Sequence, residues 1–508
     1  MLNGLSNTNC GSPKVISEAA LAVLLVFRAA SPCFGAESER GTFESALGVP
    51  DRIAAVENHL CLPVLLDGEQ REYYSLPERM RLYRVPGVSI AVINNGEIEW
   101  SKGYGRRDAV ATTPVDDRTL FQAGSISKPV SALGALHLVQ EGLLDLDTDI
   151  NTYLTSWKIP KNGFTAHKPV TLRYLLCHGA GMNGHMLGAF SPSEPIPNFL
   201  QMLNGLAPAT NEPVEVVLEP QTEWRYSGGG YLIVLQAMLD VTGESFERIM
   251  DESVFAPLKM RRSGYYPPET LDSIGNIAVG HDETGAPYDD RWTFMPNLAE
   301  GGLWSTPSEL CRLALEVQEA PRGISNIIGG KIAREMLTRQ TGSYGLGFSL
   351  RGGGDRLVFE HGGDSRGYHN VLFVYAERGQ GVVIMTNAQG GAYLYQEILR
   401  SVATVYDWPD LKPSVLTPVE LPAGSLDRYA GRYVFNEIIP VTITVEHDHL
   451  RMEGDDGRVF ECCPVAEDRF VDVKSGWRLD FIPDEDGSVS KALLSAEGAE
   501  LIGERTAE

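Results

Sequence analysis

The sequence predicts an α+β fold followed by a small all-β domain, and three features of its periodicity lead to that prediction. Apolar and polar residues alternate with the two-residue period of strands over residues 88–105 and again after Tyr344. The region between them has the 3.6-residue period of helices. Strands at both ends of a helical region favour one antiparallel sheet in which those ends meet, flanked by helices.

The individual elements follow from turn and cap signals. Asn95-Gly96 separates the two alternating runs of residues 88–105 and suits a two-residue hairpin turn. Helices are predicted from Ser125, from Tyr231 to Val241, and from Pro307, where Thr306 and Glu309 form a capping-box pattern. After Tyr344 the runs GLGFSL, RLVFEH, NVLFVY and GVVIMTN predict four more strands.

The carboxy-terminal part of the chain is predicted to be a separate domain. Residues 411–424 contain three prolines and show no helical or strand period, so they are interpreted as a linker after a first domain over 50–410. From 425 to 508, short alternating runs such as YAGRYVF, VTITVEH and WRLDFI are separated by turn residues. This spacing is typical of a small β-barrel or sandwich.

Charge and composition exclude several classes of partner and cofactor. The 508 residues include 43 Lys and Arg against 67 Asp and Glu, a formal net charge of −24, so we expect no nucleic-acid partner and no binding to anionic lipid. Neither H-E-x-x-H nor C-x-x-C occurs, and we predict no metal and no cofactor. Seven cysteines are too few for a disulfide scaffold.

The amino terminus has the pattern of a secretion signal. The apolar run Ala19 to Phe27 has nine residues, fewer than the roughly 20 that a membrane span requires. Lys14 precedes this run, and Pro32 and the small residue Ala36 follow it, which predicts a signal peptide over 1–36. The protein is then expected in the periplasm or secreted, with no integral membrane segment after leader removal. A disordered tail is the alternative.

Three short segments carry groups suited to nucleophilic catalysis. Ser125 and Lys128 are three residues apart at a predicted helix start, where both lie on one face and the amine can serve the hydroxyl as a base. Pro129 favours that placement because it is tolerated in the first helical turn. By itself, S-x-x-K is more often a capping serine and a surface lysine. Support comes from Tyr226, in a glycine-rich loop just before a helix, and from His361, at the end of a predicted strand.

These motifs together resemble those of the serine β-lactamase-like superfamily. Ser125-Ile-Ser-Lys128, Tyr226-Ser-Gly228 and His361-Gly-Gly363 occur in the order and spacing of the three motifs of that group, and the similarity extends over about residues 50–408. The group includes class C β-lactamases, D-alanyl-D-alanine peptidases, D-aminopeptidases and family VIII carboxylesterases. The region after Leu426 resembles the lipocalin-like domain that accompanies some of these hydrolases.

The resemblance implies a role for each matching residue. Ser125 would attack a carbonyl carbon and form an acyl-enzyme, Lys128 would take its proton, and Tyr226 would relay protons to the leaving group. The backbone N–H groups of Ser125 and Asp364 would hold the oxyanion. Further substrate contacts would come from the motif residues His361, Gly362, Gly363 and Gly228.

Two departures from the family pattern favour some substrates over others. Gly228 stands where β-lactamases have the asparagine of Tyr-x-Asn, and His361 stands where they have the lysine of Lys-Thr-Gly. An amide contact and a permanent cation are therefore missing, which favours a small ester or amide over a penicillin. We predict a carboxylesterase acting on small acyl esters, with a D-aminopeptidase, a DD-peptidase or a weak β-lactamase as alternatives.

These residues allow two other interpretations, a nucleophile elbow and a binding protein without catalytic turnover. Gly363-Asp-Ser365-Arg-Gly367 spells the nucleophile elbow of α/β-hydrolases, but that elbow requires a helix after the turn, whereas a strand-like run follows here. A penicillin-recognising or peptidoglycan-binding protein without turnover is the non-enzymatic alternative, and the presence of all three polar groups argues against it. The oligomeric state is left open.

Overall fold

The structure is a computed structural model that describes residues 47–68, 72–184, 186–422, 424–436, 439–455, 457–484, 486–496 and 499–506. The chain forms two compact units, divided between Thr417 and Pro418. The predicted signal peptide lies outside the described residues. Among the helices that are described, none has the length and apolar composition required to cross a membrane.

The first unit contains the predicted helices and strands in their predicted order, together with elements that the sequence did not predict, such as the helix Gly391–Val405. The helices are α1 Val49–Asn58, α2 Leu76–Leu82, α3 Ser127–Gln140, α4 Leu172–Leu176, α5 Phe199–Leu203, α6 Gly228–Thr242, α7 Phe246–Met250, α8 Pro268–Ile274, α9 Leu298–Gly301, α10 Pro307–Glu319, α11 Gly330–Met336 and α12 Gly391–Val405. The strands are β1 Val64–Leu66, β2 Gly87–Asn94, β3 Glu97–Gly105, β4 Phe121–Gln122, β5 Trp304–Ser305, β6 Ser349–Arg351, β7 Val358–Ser365, β8 Tyr368–Tyr375, β9 Gly381–Thr386 and β10 Ser414–Leu416.

The main sheet of this unit confirms the predicted α+β class. Its order is β3-β2-β9-β8-β7-β6 and all neighbours are antiparallel, so the strands near the two ends of the domain meet in the middle. The β2–β3 hairpin turns at Asn95 and Gly96, which have φ values of 53° and 77°. Positive φ at both positions is what a primed two-residue turn requires.

Both faces of the sheet are covered by helices. Along β2, Ile90 and Val92 belong to a core shared with α1 and α12, whereas Ala91 and Ile93 belong to the core on the opposite face, shared with α3, α6 and α10. Successive side chains of a strand point to opposite faces, so a strand buried on both sides is apolar at nearly every position. The turn that carries Ser125 packs against β7 and β8 of this sheet.

The second unit is a closed, all-antiparallel barrel of eight strands, which confirms the predicted all-β class. Its strands are β11 Gly431–Phe435, β12 Ile439–Glu446, β13 His449–Gly454, β14 Val459–Ala466, β15 Arg469–Asp472, β16 Arg478–Pro483, β17 Val489–Ala496 and β18 Ala499–Arg505, and β18 pairs with β11. Side chains fill the interior, and the rings of Tyr429 and Phe481 stack there with centroids 4.3 Å apart.

Four local predictions differ from the structure. The predicted linker contains β10, which pairs with β1 in parallel. Helix α6 begins three residues before Tyr231, because the Ser227 side chain caps it by accepting from the Gly230 N–H. Thr306 caps α10, but Glu309 does not complete a capping box, because its carboxylate accepts from the backbone of Arg262 and Ser263 instead. Finally, β7 does not end at His361 but continues to Ser365.

Candidate active site

Ser125 lies on a single turn of 3₁₀ helix, Gly124–Ile126, between β4 and α3. Hydrogen bonds to neighbouring backbone fix this turn. The Ser127 hydroxyl donates to the Gly124 carbonyl over 2.6 Å and accepts from the Leu303 N–H over 3.1 Å. The Ala123 N–H donates to the Leu303 carbonyl over 2.8 Å. The helix predicted from Ser125 thus starts two residues later, with Pro129 in its first turn.

Lys128 brings its amine to the Ser125 hydroxyl from the first turn of α3. Its side chain is completely buried, and Nζ lies 3.2 Å from Ser125 Oγ and 3.2 Å from the backbone oxygen of Glu300. The same nitrogen lies 4.7 Å from the centre of the Tyr226 ring. Lys128 Nζ therefore contacts both the half-buried Ser125 hydroxyl and the Tyr226 ring, and its contact with the hydroxyl is the one that a serine nucleophile and its base require.

His178 supports the Tyr226 ring. The two ring centres are 4.4 Å apart, and His178 Nδ1 accepts from the Ser227 N–H over 3.1 Å. His178 is buried and has a positive φ of 60°. This tilted ring contact and the hydrogen bond to the next residue of the chain together limit how far the phenol can move relative to Lys128.

The strand that carries His361 packs directly against the Ser125 turn. A Cβ atom on Gly363 would lie 2.0 Å from the Ala123 oxygen, and one on Gly124 would lie 2.8 Å from the backbone nitrogen of Asp364. Only glycine permits such close approach of two backbones. The buried Asn370 side chain also joins the two segments, donating to the carbonyls of Gln122 and Gly363 over 2.9 Å each. The predicted oxyanion donors, Ser125 and Asp364, thus lie on adjoining segments.

His361 is buried, with 7% of its surface exposed. Burial, together with the nearby charge of Lys128, lowers its pKa to about 4, so the imidazole is neutral at physiological pH. Nδ1 lies 2.5 Å from the Gly362 carbonyl oxygen and donates to it. Nε2 is then an acceptor, and it has no hydrogen-bond partner among the described residues. Gly362 itself is exposed.

The model of the protein family described as Beta-lactamase matches residues 76–404. The chain belongs to this family. Penicillin-binding protein 4* of Bacillus subtilis is 24% identical over 82% of this chain and 94% of its own length.

Two further proteins are similar to this chain. Teichoic acid D-alanine hydrolase of Staphylococcus aureus is 24% identical over 61% of this chain and 74% of its own length. Among solved structures, the D-amino acid amidase of Ochrobactrum anthropi superposes with a TM-score of 0.52 at 20% identity, covering 70% of this chain and 99% of the amidase. That structural likeness shows the shared fold.

Sequence reasoning missed one residue of this beta-lactamase-family site. Glu300, in α9, is buried, and its Oε1 atom lies 3.9 Å from Lys128 Nζ. A Cβ atom on Gly228 would lie 2.2 Å from the Glu300 carboxylate, which therefore occupies the space next to this glycine. The one signal in the sequence was an acidic residue directly before the GGLWST segment at Gly301–Thr306.

Ser365 is the serine of the alternative nucleophile-elbow motif, and it lies at the end of a strand. Ser365 is the last residue of β7, and the chain turns at Arg366–Gly367 into β8. A nucleophile elbow requires a strand, a turn and then a helix.

Next to Ser365, the exposed Asp364 carboxylate accepts a hydrogen bond from His369 Nδ1 over 2.5 Å. Burial alone would lower the pKa of His369, but the hydrogen bond and charge of Asp364 outweigh it and raise that pKa.

Proposed function

We propose that this protein is a serine hydrolase that removes D-aminoacyl groups from esters and amides through an acyl-enzyme on Ser125. The observation that carries the proposal is the pairing of a buried amine at 3.2 Å from the Ser125 hydroxyl with a neutral histidine on the adjoining strand. The proposal thus favours the D-aminopeptidase alternative over the carboxylesterase on small acyl esters that the sequence predicted first.

The chemistry proceeds through two displacements. Ser125 Oγ forms a bond to the substrate carbonyl carbon while its proton passes to the Lys128 amine. Backbone N–H groups of Ser125 and Asp364 hold the resulting oxyanion, and loss of one such donor costs about 3 kcal/mol of barrier. When the carbonyl re-forms, the alcohol or amine leaves with a proton relayed by Tyr226. Water then repeats the sequence on the acyl-enzyme.

The state of His361 favours an aminoacyl substrate over one with a free carboxylate. An imidazole with a pKa of about 4 offers no cation at neutral pH, so a carboxylate would be desolvated without a charged partner. Nε2, as a buried acceptor without a partner among the described residues, matches an amide N–H or an ammonium. Two similar proteins are named for D-alanine and D-amino acid chemistry, which supports the D configuration.

We also propose that the protein acts outside the cytoplasm. The amino-terminal pattern of the sequence predicts export, and the similar proteins include penicillin-binding protein 4* of Bacillus subtilis. Fractionation of cells that express the full chain would test this. Recovery of a full-length, unprocessed protein from the cytoplasm would contradict it.

Steady-state rates on matched chromogenic substrates test the proposed specificity. The panel is D-alanyl and L-alanyl p-nitroanilide, p-nitrophenyl acetate and nitrocefin. We expect kcat/KM for the D-alanyl compound to exceed that for the L-alanyl compound by at least about tenfold, which corresponds to 1.4 kcal/mol of discrimination. Equal rates on the two enantiomers, or nitrocefin as the best substrate, would contradict the proposal.

A further inference from the structure

Glu300 is a buried carboxylate beside the base of the proposed reaction, and the reaction as described makes no use of it. Only 3% of its side chain is exposed, and Oε1 lies 3.9 Å from Lys128 Nζ. Lys128 Nζ also donates to the backbone oxygen of the same residue over 3.2 Å. One helical turn further along α3, the Ser131 hydroxyl donates to the Ala299 carbonyl, so two hydrogen bonds hold α9 against α3.

The surroundings of Glu300 hold its carboxylate in one place. Asn297 Nδ2 donates to Oε2 over 2.9 Å and to the Gly228 carbonyl over 2.8 Å, and the Leu187 N–H also donates to the carboxylate. Because a Cβ atom on Gly228 would lie 2.2 Å from the carboxylate, Gly228 and Glu300 are a matched pair. Where the family pattern Tyr-x-Asn would place an amide side chain, this chain places a carboxylate from another segment.

The titratable groups that face Lys128 are Glu300, Tyr226, Tyr231 and His361, and Glu300 is the carboxylate among them, so its charge and that of Lys128 can change together. Burial raises the pKa of Tyr231, which faces Lys128 from α6, so its phenol remains protonated. His361 is neutral, as described above. Burial also raises the pKa of Glu300, and the charge of Lys128 opposes that shift. An ammonium–carboxylate pair and an amine–carboxylic acid pair have the same net charge, so a proton can pass between them without a charge entering or leaving the site.

We propose that Glu300 is a positioning residue that exchanges a proton with Lys128 and so provides the neutral amine that activates Ser125. The N–H bond of the ammonium breaks and the O–H bond of the carboxylic acid forms. The freed lone pair of the amine then takes the Ser125 proton as Oγ bonds to the carbonyl carbon. After Tyr226 delivers a proton to the leaving group, the lysine is again an amine and the carboxyl is still protonated. This inference rests on the proposed serine chemistry.

A carboxylate that served only as a counter-ion would have the opposite effect on pH dependence. As a counter-ion it stabilises the ammonium, so its removal would free the amine at lower pH. As a proton acceptor, Glu300 holds the one proton that it shares with Lys128, so Ser125 stays reactive until a second proton binds this pair at acid pH. Its removal would then leave an amine that has to lose its proton to solvent, which requires higher pH. The two roles thus predict shifts of opposite sign.

The experiment measures the rate at which a fluorophosphonate probe labels Ser125, as a function of pH, in the full-length protein. Labelling depends on activation of the serine and not on the natural substrate. The variants are Glu300→Gln, which keeps the size of the side chain, and Glu309→Gln as a matched control. Glu309 is also buried and also accepts from backbone N–H groups, but it belongs to α10 and contacts Arg262 and Ser263.

We expect the midpoint of the acid limb in the Glu300→Gln profile, taken relative to that variant's own plateau rate, to move to higher pH by at least about one unit. The Glu309→Gln profile should match that of the wild type. A limb at unchanged or lower pH in a folded Glu300→Gln protein would overturn the inference while leaving the serine chemistry intact. Absence of Ser125 labelling in the wild type would instead overturn the proposed function.

Discussion

The two units of the chain bury different kinds of side chain. In the described part of the barrel, one residue with an acidic or basic side chain is buried, Asp472. The rest of the interior is formed by aromatic, aliphatic and sulfur-containing side chains. The first unit buries more titratable side chains, and three of them, Lys128, Glu300 and His361, lie on segments that meet at Ser125. Burying a charged or titratable group costs several kcal/mol unless partners compensate, so such a group needs a specific reason to persist.

This difference indicates that the first unit holds the groups that react, whereas the interior of the barrel serves to stabilise its fold. The barrel is stabilised by closing its sheet and by filling its interior with mainly apolar side chains. In the first unit, close backbone contacts and hydrogen bonds instead hold the polar groups near Ser125 next to one another. Substitutions in the two units should accordingly separate loss of activity from loss of stability.

The largest effect is expected from Ser125→Ala, which removes the proposed nucleophile. Hydrolysis of the D-alanyl substrate should fall by at least about 10⁴-fold, because the remaining groups act only in concert with the hydroxyl. Thermal unfolding should be almost unchanged. Ser365→Ala is the matched control, and steady-state kinetics should show wild-type activity for it. If Ser365→Ala were inactive instead, the nucleophile would have been assigned to the wrong strand.

A core substitution in the barrel should have the converse effect. Phe481→Ala removes a ring that is 4% exposed and stacks on Tyr429, and we expect a loss of about 3 to 5 kcal/mol in the free energy of unfolding of the barrel. Ser125 labelling should persist at temperatures where the first unit is still folded. Chemical denaturation, followed with one probe in each unit, would measure the free energy of unfolding of each unit separately. Labelling that disappears together with the barrel would show that chemistry and stability are not separable.

The third prediction concerns the matched pair of Gly228 and Glu300. Gly228→Asn places a Cβ atom 2.2 Å from the carboxylate, and overpacking of this kind should cost about 3 kcal/mol in unfolding free energy. Adding Glu300→Ala removes the clash, so the double variant should recover most of the loss. Gly230→Ala, with its nearest neighbour at 3.6 Å, is the control in the same helix and should not destabilise. Additive losses in the double variant would contradict the pairing.

The smallest effect is a pH dependence of stability that arises from His361. Its pKa falls from an ordinary value of 6.5 in the unfolded chain to about 4 in the fold, so between these values the unfolded chain binds more protons. Stability is therefore lost as the pH falls, by about 2 kcal/mol between pH 8 and pH 5. His361→Gln should lack this contribution. Denaturation midpoints of both proteins at the two pH values would reveal it, and identical pH dependence would contradict a buried neutral imidazole.

The fold could be predicted to a large extent because periodicity and turn residues report it directly. Asn95-Gly96 and the runs after Tyr344 are local signals, and they identified the hairpin and the strands of the main sheet. The quoted runs missed some barrel strands, such as Val459–Ala466, where Cys462-Cys463-Pro464 interrupts a simple alternation. The extension of β7 past His361 was also missed, because two glycines and Asp364 have low strand propensity and are held there by pairing with β8.

The site was predictable only where spacing within a motif reports geometry. Ser125 and Lys128 lie three residues apart, so their contact follows from a helical turn. Glu300 is far from both in sequence, and its approach to Lys128 depends on how α9 packs on α3. The absence of a side chain at Gly228 was visible in the sequence, but the group that fills the vacated space was not. Long-range packing of this kind has no local signature.

The most direct test of the central claim is the mass of the protein after rapid acid quenching during turnover of a D-alanyl p-nitrophenyl ester. We predict a species heavier than the free protein by one D-alanyl group, with the added mass on the peptide that contains Ser125 and absent from the Ser125→Ala variant. Turnover without any such species on Ser125, or the added mass on a peptide that contains Ser365, would contradict the account.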